Sequence, residues 1–235
     1  ISLLTALSSL YFITAGVQFW STAFLITVLR EKPGTAFIYV GSTLATAPTM
    51  GVLTGGWLVS DVMGGYRGHK MGTALRTCAY LTAIAAGVGM AMPMLTMTHE
   101  IVVALWAVLF LSSIVLPALS GLLVSIVPPE LRVSSATVSA FSFNALGNCF
   151  ALIVLGYLTD SIAKHVHGCD SVCAQRIGFH IIINWSIWPL LLIGIAACRE
   201  TQRQRELLPP SATEPTRRAR IRRVYESAPP GERRQ

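Results

Sequence analysis

The stretch "IVVALWAVLFLSSIVLPALSGLLVSIVPP", Ile101–Pro129, contains no aspartate, glutamate, lysine or arginine. It is longer than the roughly 18 apolar residues that suggest a membrane-spanning helix. Inside a bilayer no water is available to the backbone, so each segment must satisfy its own amide and carbonyl groups. An α-helix does this within a single segment. The stretch therefore predicts a transmembrane helix.

Five further runs lack all four charged residue types, and each is also long enough to cross a bilayer. Charged residues make up 12% of the chain, against about 25% in a typical soluble domain. Together the runs predict an all-α membrane protein with six transmembrane helices. The expected helices are approximately Leu3–Leu29, Ala36–Ser60, Thr73–Met94, Ile101–Val127, Ser134–Thr159 and Ile177–Cys198.

Residues 199–235 have a different composition, with ten arginines, five glutamates, five prolines and few apolar residues. Such a segment cannot bury a core and is predicted to be disordered. The chain therefore divides into a six-helix bundle over 1–198 and an Arg-rich tail over 199–235. The tail is either attracted to anionic membrane lipid or simply solvated. No nucleic-acid partner is predicted, because no aromatic or glycine-rich pattern accompanies the arginines.

The distribution of basic residues between the loops predicts the orientation in the membrane. Six spans place both chain ends on one side, together with the loops after the second and fourth helices. That side carries seven basic residues near the membrane, against four on the other. Because cytosolic loops carry the excess of lysine and arginine, the tail is predicted to be cytosolic. The seven are Arg67, Lys70, Arg76, Arg132, Arg199, Arg203 and Arg205, and the four are Arg30, Lys32, Lys164 and Arg176.

The loop after the second helix reads "GGWLVSDVMGGYRGHK" from residue 55 to residue 70. Gly64 and Gly65 permit the backbone angles of a tight turn between two long helices. Arg67 and Lys70 favour the cytosolic face. The Asp61 carboxylate can meet a positive helix N-terminus or a basic side chain. We interpret the loop as a gating motif, which stabilises one conformation and is released in another.

Polar side chains recur every three or four residues along five of the helices, so in each helix they share one face. Polar groups in lipid are costly, and such faces point to a bundle interior or a water-filled cavity. Two interpretations remain open. The polar groups join helices through interhelical hydrogen bonds, or several faces converge on a substrate path. The candidates for a substrate cavity are Tyr11, Gln18, Thr46, Ser113, Pro117, Asn144 and Asn148.

Proline and glycine within the helices have separate expected roles. Pro48, Pro117 and Pro189 are expected to break their helices, because the freed backbone groups are tolerated where they line a cavity. Small residues permit close helix approach, and three glycines of the second helix are expected to serve in this way. They are Gly51, Gly55 and Gly56.

The loop after the fifth helix, "KHVHGCDSVC", lies on the predicted exoplasmic side, where disulfides are permitted. A disulfide between Cys169 and Cys173 is the favoured interpretation, with free thiols as the alternative. These cysteines could also join His165, His167 and Asp170 around a zinc ion. Their spacing matches no standard zinc motif, so no metal site is predicted.

No catalytic pattern is present in the helices. They contain no pair of carboxylates, and the sequence has no HEXXH or GXSXG motif. His99 and Glu100 stand together only in the turn before the fourth helix, where solvation is the simpler interpretation. We therefore predict neither an enzymatic activity nor a cofactor.

The gating motif resembles the loop signature D-x2-G-x-[RK]-x-G-x-[RK] of the major facilitator superfamily. In those transporters the signature lies between the second and third helices of each half. Asp61, Gly64, Gly68 and Lys70 fit it, while Arg67 fits it shifted by one position. The loop also follows the second of six predicted helices, where the family places it.

Two further segments resemble the Spinster branch of this superfamily. "QFWSTAFL", Gln18–Leu25, is similar to the seventh helix of that branch. "VPPELRVSSATVSAFSFNALGNCFALIVLGYLTD", Val127–Asp160, is similar to its tenth loop and eleventh helix. Asn148 departs from the pattern, since some relatives have an acid there, and this argues against a titrating group in the fifth helix.

The resemblance implies that the chain is the C-terminal half of a twelve-helix transporter, with an N-terminal half as its partner. Because Ile1 is not an initiator methionine and lies inside an apolar run, we expect a longer chain. The first, second, fourth and fifth helices would line the central cavity. The third and sixth would be peripheral, which places His180 and Asn184 of the sixth away from the substrate.

The resemblance further implies alternating-access transport of a small organic or amphipathic solute, such as a lysolipid- or sphingolipid-like molecule. The expected location is the plasma membrane or an endolysosomal membrane, with membrane lipid around the helices. The alternative is a half-size membrane protein that does not transport. Such a protein would act as a scaffold or receptor through its basic tail.

Overall fold

The computed structural model describes residues 2–62, 70–165 and 170–207, which form helices joined by short turns, with no strand in these ranges. Two π-helical segments, Leu58–Val62 and Phe143–Cys149, continue the helices that precede them. Single 3-10 turns lie at Met92–Met94 and Pro129–Leu131. The α-helices of the described ranges are α1 Ser2–Thr27, α2 Pro33–Trp57, α3 Lys70–Ala91, α4 Thr98–Ile126, α5 Arg132–Ser142, α6 Phe150–His165, α7 Ser171–Asn184 and α8 Ile187–Leu207.

Six helical segments of the described chain are long and apolar enough to cross a membrane. The chain is therefore a multi-pass integral membrane protein, as the charge-free runs predict. The fifth segment joins α5, the second π-helical segment and α6, and the sixth joins α7 and α8. These segments are span 1 Leu3–Thr27, span 2 Pro33–Asp61, span 3 Gly72–Met94, span 4 Thr98–Ser125, span 5 Arg132–His165 and span 6 Ser171–Gln202.

Spans 5 and 6 extend beyond their predicted bounds because the helices do not end at the charged residues that delimit the apolar runs. α8 continues to Leu207, into the segment predicted as a tail. The residues there, "RETQRQREL", are mostly good helix formers and include neither glycine nor proline. The remainder of the predicted tail, residues 208–235, lies outside the described residues.

α1 and α4 lie at the centre of the compact unit that reaches from the start of the chain to Ala197. In the most apolar 18-residue window of each span, the buried share is 61% in span 1 and 56% in span 4. The buried share is only 28% in span 2 and in span 5. The core contains leucines from both central helices, such as Leu7 and Leu119, packed with Leu75 of α3. Spans 2 and 5 therefore present the most exposed surfaces of the bundle.

The contacts that span 4 makes with spans 2 and 3 correspond to those that span 1 makes with spans 5 and 6. Span 2 packs along span 4 as span 5 packs along span 1. Span 3 packs along span 4 as span 6 packs along span 1, and spans 3 and 6 also meet each other. Because three spans are an odd number, the second set crosses the membrane in the opposite sense to the first. The contacts of the two central spans therefore correspond as in an inverted repeat, although among the described residues spans 5 and 6 also pack on each other more closely than spans 2 and 3 do.

The predicted helix breaks at Pro48 and Pro117 are wrong. α2 and α4 continue through these prolines. A proline removes one backbone hydrogen bond, and tertiary packing in a membrane bundle tolerates that loss. Neither residue therefore marks an opening in its helix.

A break does occur in span 6, at Trp185 and Ser186, shortly before Pro189. In an uninterrupted helix the amide of residue 189 would bind the carbonyl of Trp185, but proline has no amide hydrogen. The Trp188 amide takes this place and donates to the Trp185 carbonyl at 3.0 Å. α8 therefore begins at Ile187 and has the proline in its first turn, where a missing donor is tolerated.

Gly51 and Gly55 allow the backbone of α2 to approach that of α4. A Cβ at Gly55 would lie 2.4 Å from the carbonyl oxygen of Ile114, and one at Gly51 would lie 2.6 Å from that of Phe110. A Cβ at Gly56 would meet no other atom within 4 Å. The predicted role in close packing is confirmed at Gly51 and Gly55 and is wrong at Gly56.

Neighbouring glycines with different surroundings provide a direct test of this helix contact. We expect Gly55→Ala to lower the free energy of unfolding in detergent by about 1–3 kcal/mol, because the added methyl group forces α2 away from α4. Gly56→Ala adds the same group one residue further along the same helix and should be neutral or stabilising by up to about 1 kcal/mol. Equal effects of the two substitutions on the unfolding midpoint would contradict the close approach at Gly55.

Candidate functional site

Tyr11 of α1 packs against the π-helical segment of span 5. Its ring is stacked on that of Phe143, with centroids 5.2 Å apart and an interplanar angle of 7°. Gly147 makes the approach possible, because a Cβ at that position would lie 2.5 Å from the Cβ of Tyr11. Tyr11 is half-buried, so part of its side chain remains accessible beside span 5.

Asn144 and Asn148 lie in the same π-helical segment. The Asn148 amide donates to the side-chain oxygen of Asn144 at 3.1 Å, and the Asn144 amide donates to the Ala140 carbonyl at 2.8 Å. Asn144 is exposed and Asn148 is half-buried. π-Helical segments are rare and are often found at functional sites. The structure therefore brings Tyr11 together with the segment that carries both asparagines.

Thr46 joins α2 to α4 through a hydrogen bond to Trp106. The indole Nε1 of Trp106 donates to the Thr46 hydroxyl at 2.9 Å, and this hydroxyl donates to the Ser42 carbonyl at 2.7 Å. The Trp106 ring is stacked on Phe110, with centroids 4.9 Å apart. Trp106 is not among the residues predicted from the sequence. The signal that could have found it is its indole N–H, which needs a partner in an apolar span.

The exposed face of α2 carries a row of hydroxyl groups that bind the carbonyls of their own helix. Ser42 donates to the Tyr39 carbonyl at 3.0 Å, and Thr49 donates to the Ala45 carbonyl at 2.8 Å. Both side chains are exposed, as is Thr46. The row is therefore polar at its surface, and each of these hydroxyl groups already has a partner.

The other three cavity candidates differ in their surroundings. Ser113 is 2% exposed and lies against Gly51, where a Cβ would be 2.6 Å from that of Ser113. Pro117 is half-buried and packs in the same way against Gly55. Both lie in the contact between α2 and α4. Gln18 is exposed on α1.

Six of the seven cavity candidates therefore form two groups, one where span 5 meets span 1 and one where span 2 meets span 4. The seventh, Gln18, belongs to neither group. Neither of two cavities found in the described part of the chain is lined by any of the seven. The cavity between α1, α2 and α4 has a volume of about 10 Å³, which is room for about one water molecule. The exposed polar groups lie instead on the outer faces of spans 2 and 5.

Of the predicted gating motif, the structure describes Asp61 and the backbone of Lys70. Asp61 lies in the π-helical segment that ends span 2, and its side chain is exposed. Its carboxylate accepts a hydrogen bond from the Ser60 hydroxyl at 3.1 Å. Lys70 is the first residue of α3. Gly64, Gly65 and Arg67 lie outside the described residues.

Cys173, in the first turn of α7, is disulfide-bonded. Its predicted partner Cys169 lies outside the described residues, as does His167. Three other cysteines, Cys78, Cys149 and Cys198, have free thiols. The described residues include no group of three histidine, cysteine, aspartate or glutamate side chains that could hold a metal ion.

A double-mutant cycle tests the bond between Thr46 and Trp106. Hydrogen bonds between transmembrane helices contribute about 0.6 kcal/mol on average and up to about 1.7 kcal/mol. We expect Thr46→Val and Trp106→Phe to show a coupling energy in this range when unfolding is measured in detergent. Thr49→Val is the matched control, since the Thr49 hydroxyl binds only its own helix. Additive effects of Thr46→Val and Trp106→Phe would rule out the interhelical bond.

Comparison with known proteins identifies no relative of this chain: no protein-family model, no curated protein and no solved structure matches it. The functional interpretation of the two polar faces therefore rests on the sequence and the geometry.

Proposed function

We propose that this chain is one half of a secondary transporter of the major facilitator type, most similar to the Spinster branch. The observation that carries the proposal is the correspondence between the contacts of the two central spans, in which span 4 packs with spans 2 and 3 as span 1 packs with spans 5 and 6. Nested three-helix inverted repeats are a feature of each six-helix half in that superfamily. The loop signature that begins at Asp61 supports the same assignment.

The polar surfaces of spans 2 and 5 support a transport path at the edge of this bundle. Ser42, Thr46, Thr49 and Asn144 are exposed on these two spans. Polar groups that face lipid are costly, so such surfaces belong against protein or water. In our proposal a second six-helix bundle covers both surfaces. The substrate passes between the two bundles, which rock against each other in alternating access.

The chemistry of the candidate residues favours an uncharged or amphipathic contact surface. The seven cavity candidates include amides, hydroxyl groups, a tyrosine and a proline, but no acid and no base. The stack of Tyr11 on Phe143 offers an apolar surface next to the hydrogen-bonding groups of Asn144 and Asn148. We propose a small organic or amphipathic solute as substrate, with a lysolipid- or sphingolipid-like molecule as the leading candidate. No chemical step is part of the proposal.

Asp61 has the position that a gate between two bundles requires. It ends an exposed span, its carboxylate is exposed, and its described hydrogen-bond partner is the neighbouring Ser60. A carboxylate so placed can bind a helix N-terminus or a basic side chain of the facing bundle. We propose that this contact forms in one transport state and is released in the other. In this orientation Asp61 and the tail are cytosolic, and the host membrane is the plasma membrane or an endolysosomal membrane.

Uptake into proteoliposomes tests the proposed function. The protein encoded by the full-length transcript would be reconstituted, and a fluorescent lysophosphatidylcholine would be the probe. We expect protein-dependent translocation that Asp61→Asn reduces at least about tenfold, because losing one charged gate contact removes roughly 1.5 kcal/mol or more. The unfolding midpoint should not change, since Asp61 is exposed.

Asp160→Asn is the matched control for this substitution. Asp160 is also an exposed acid at a span end, but it pairs with Lys164 four residues away at 2.6 Å on the helix surface. Such exposed pairs contribute little, so this variant should translocate the probe at the wild-type rate. Full activity of Asp61→Asn would contradict the proposed gate. If the wild-type protein translocates the probe no faster than protein-free liposomes do, transport of this lipid class is contradicted.

A further inference from the structure

A cavity of about 270 Å³ lies at the end of the bundle that carries the turns between spans 1 and 2 and between spans 3 and 4. Its walls come from spans 1, 3, 4 and 6 and from the turn after span 3. None of the seven substrate-cavity candidates contributes to it. By the positive-inside distribution this end is exoplasmic. Its volume is close to the lower limit of about 300 Å³ for small-molecule sites.

Two basic side chains line the cavity, and no acidic side chain does. Arg176 and His180 lie one turn apart on α7, so they are neighbours on one face of that helix. Among the described residues Arg176 has no carboxylate partner. The Nδ1 atom of His180 is buried and has no hydrogen-bond partner in the described structure. The cavity is therefore lined by the exposed guanidinium of Arg176 and by the imidazole ring of His180, whose Nδ1 atom is enclosed by protein.

The rest of the wall is mostly apolar. The ring of Phe24 in α1 is stacked on that of Phe179, with centroids 4.2 Å apart. The rings of Phe24 and His180 meet in a T-shaped arrangement, with centroids 6.3 Å apart. The remaining lining residues are aliphatic, except for Thr96 in the turn. A hydrogen bond from Thr27 to Gln175 connects the end of α1 to α7 beside Arg176. The two basic side chains thus lie on one helix next to an aromatic surface, and Arg176 is exposed.

We propose that this cavity is a binding site for an oxyanion group, a phosphate or carboxylate, attached to a small apolar body. A planar guanidinium binds such oxyanions through two parallel hydrogen bonds. The His180 side chain contributes a second polar contact, and Phe24 packs against the apolar body. The same chemistry is offered by a free amphipathic anion and by the headgroup of an anionic phospholipid. The site does not depend on the proposed transport function, since it lies within this one bundle.

Binding would be measured with the full chain in nanodiscs of phosphatidylcholine, with phenyl phosphate as the soluble probe in a saturation-transfer NMR titration. A second set of nanodiscs would contain phosphatidylglycerol, and native mass spectrometry would count the molecules of this lipid retained by the protein. Arg176→Gln removes the positive charge and keeps a shorter, polar side chain. His180→Phe keeps the ring but removes both nitrogens, so the apolar wall stays filled.

Lys164→Gln is the matched control, because it removes one positive charge on the same predicted side at an exposed position outside the cavity. We expect saturable binding that Arg176→Gln weakens at least about tenfold and His180→Phe about threefold, while Lys164→Gln leaves it unchanged. Arg176-dependent binding of phenyl phosphate supports the proposal with a soluble anion as the ligand. Arg176-dependent retention of phosphatidylglycerol supports it with a lipid headgroup. Equal binding by wild type and Arg176→Gln, or saturable binding of neither probe, overturns it.

Discussion

The structure depends on one requirement of the bilayer, which is that polar groups without access to water must find partners within the protein. This requirement explains why the described chain is helical between short turns. It also explains the local arrangement at Pro189, where the Trp188 amide takes the carbonyl that the proline cannot bind. The hydroxyl groups of α2 follow the same rule, since each donates to a carbonyl of its own helix. Their hydroxyl hydrogens are thereby bound, while the side chains of Ser42, Thr46 and Thr49 stay exposed on the outside of span 2.

The packing of the helices determines which polar side chains remain exposed, and these side chains bear on the proposed function. α1 and α4 are central, and each supports one of the two exposed spans through a small residue, Gly147 against α1 and Gly55 against α4. These two contacts correspond to each other in the packing around the two central helices. Each of the two exposed spans also carries polar side chains on its outer face. A bundle with two such faces is suited to meet a second bundle across a water-filled path.

The sequence predicted the number of spans and their approximate positions. Charged side chains are costly in the bilayer core, so each span is a run without them. It predicted less about the ends of spans 5 and 6, since helix propensity continues past charged residues such as Arg132 and Lys164. It was wrong about Pro48 and Pro117, because tertiary packing outweighs the loss of one hydrogen bond. The contact between Thr46 and Trp106 depends on the relative rotation of two helices, and a single sequence does not specify that rotation. The cavity beside Arg176 and His180 was not predicted for a similar reason, since its walls come from four different spans.

We propose that this bundle is one half of a larger membrane protein whose other half covers the polar faces of spans 2 and 5. Sequencing the transcript from its 5′ end through the codon for Ile1 tests this proposal. We expect about 200 further residues that contain six additional charge-poor spans. A start codon only a few residues before Ile1 would contradict it.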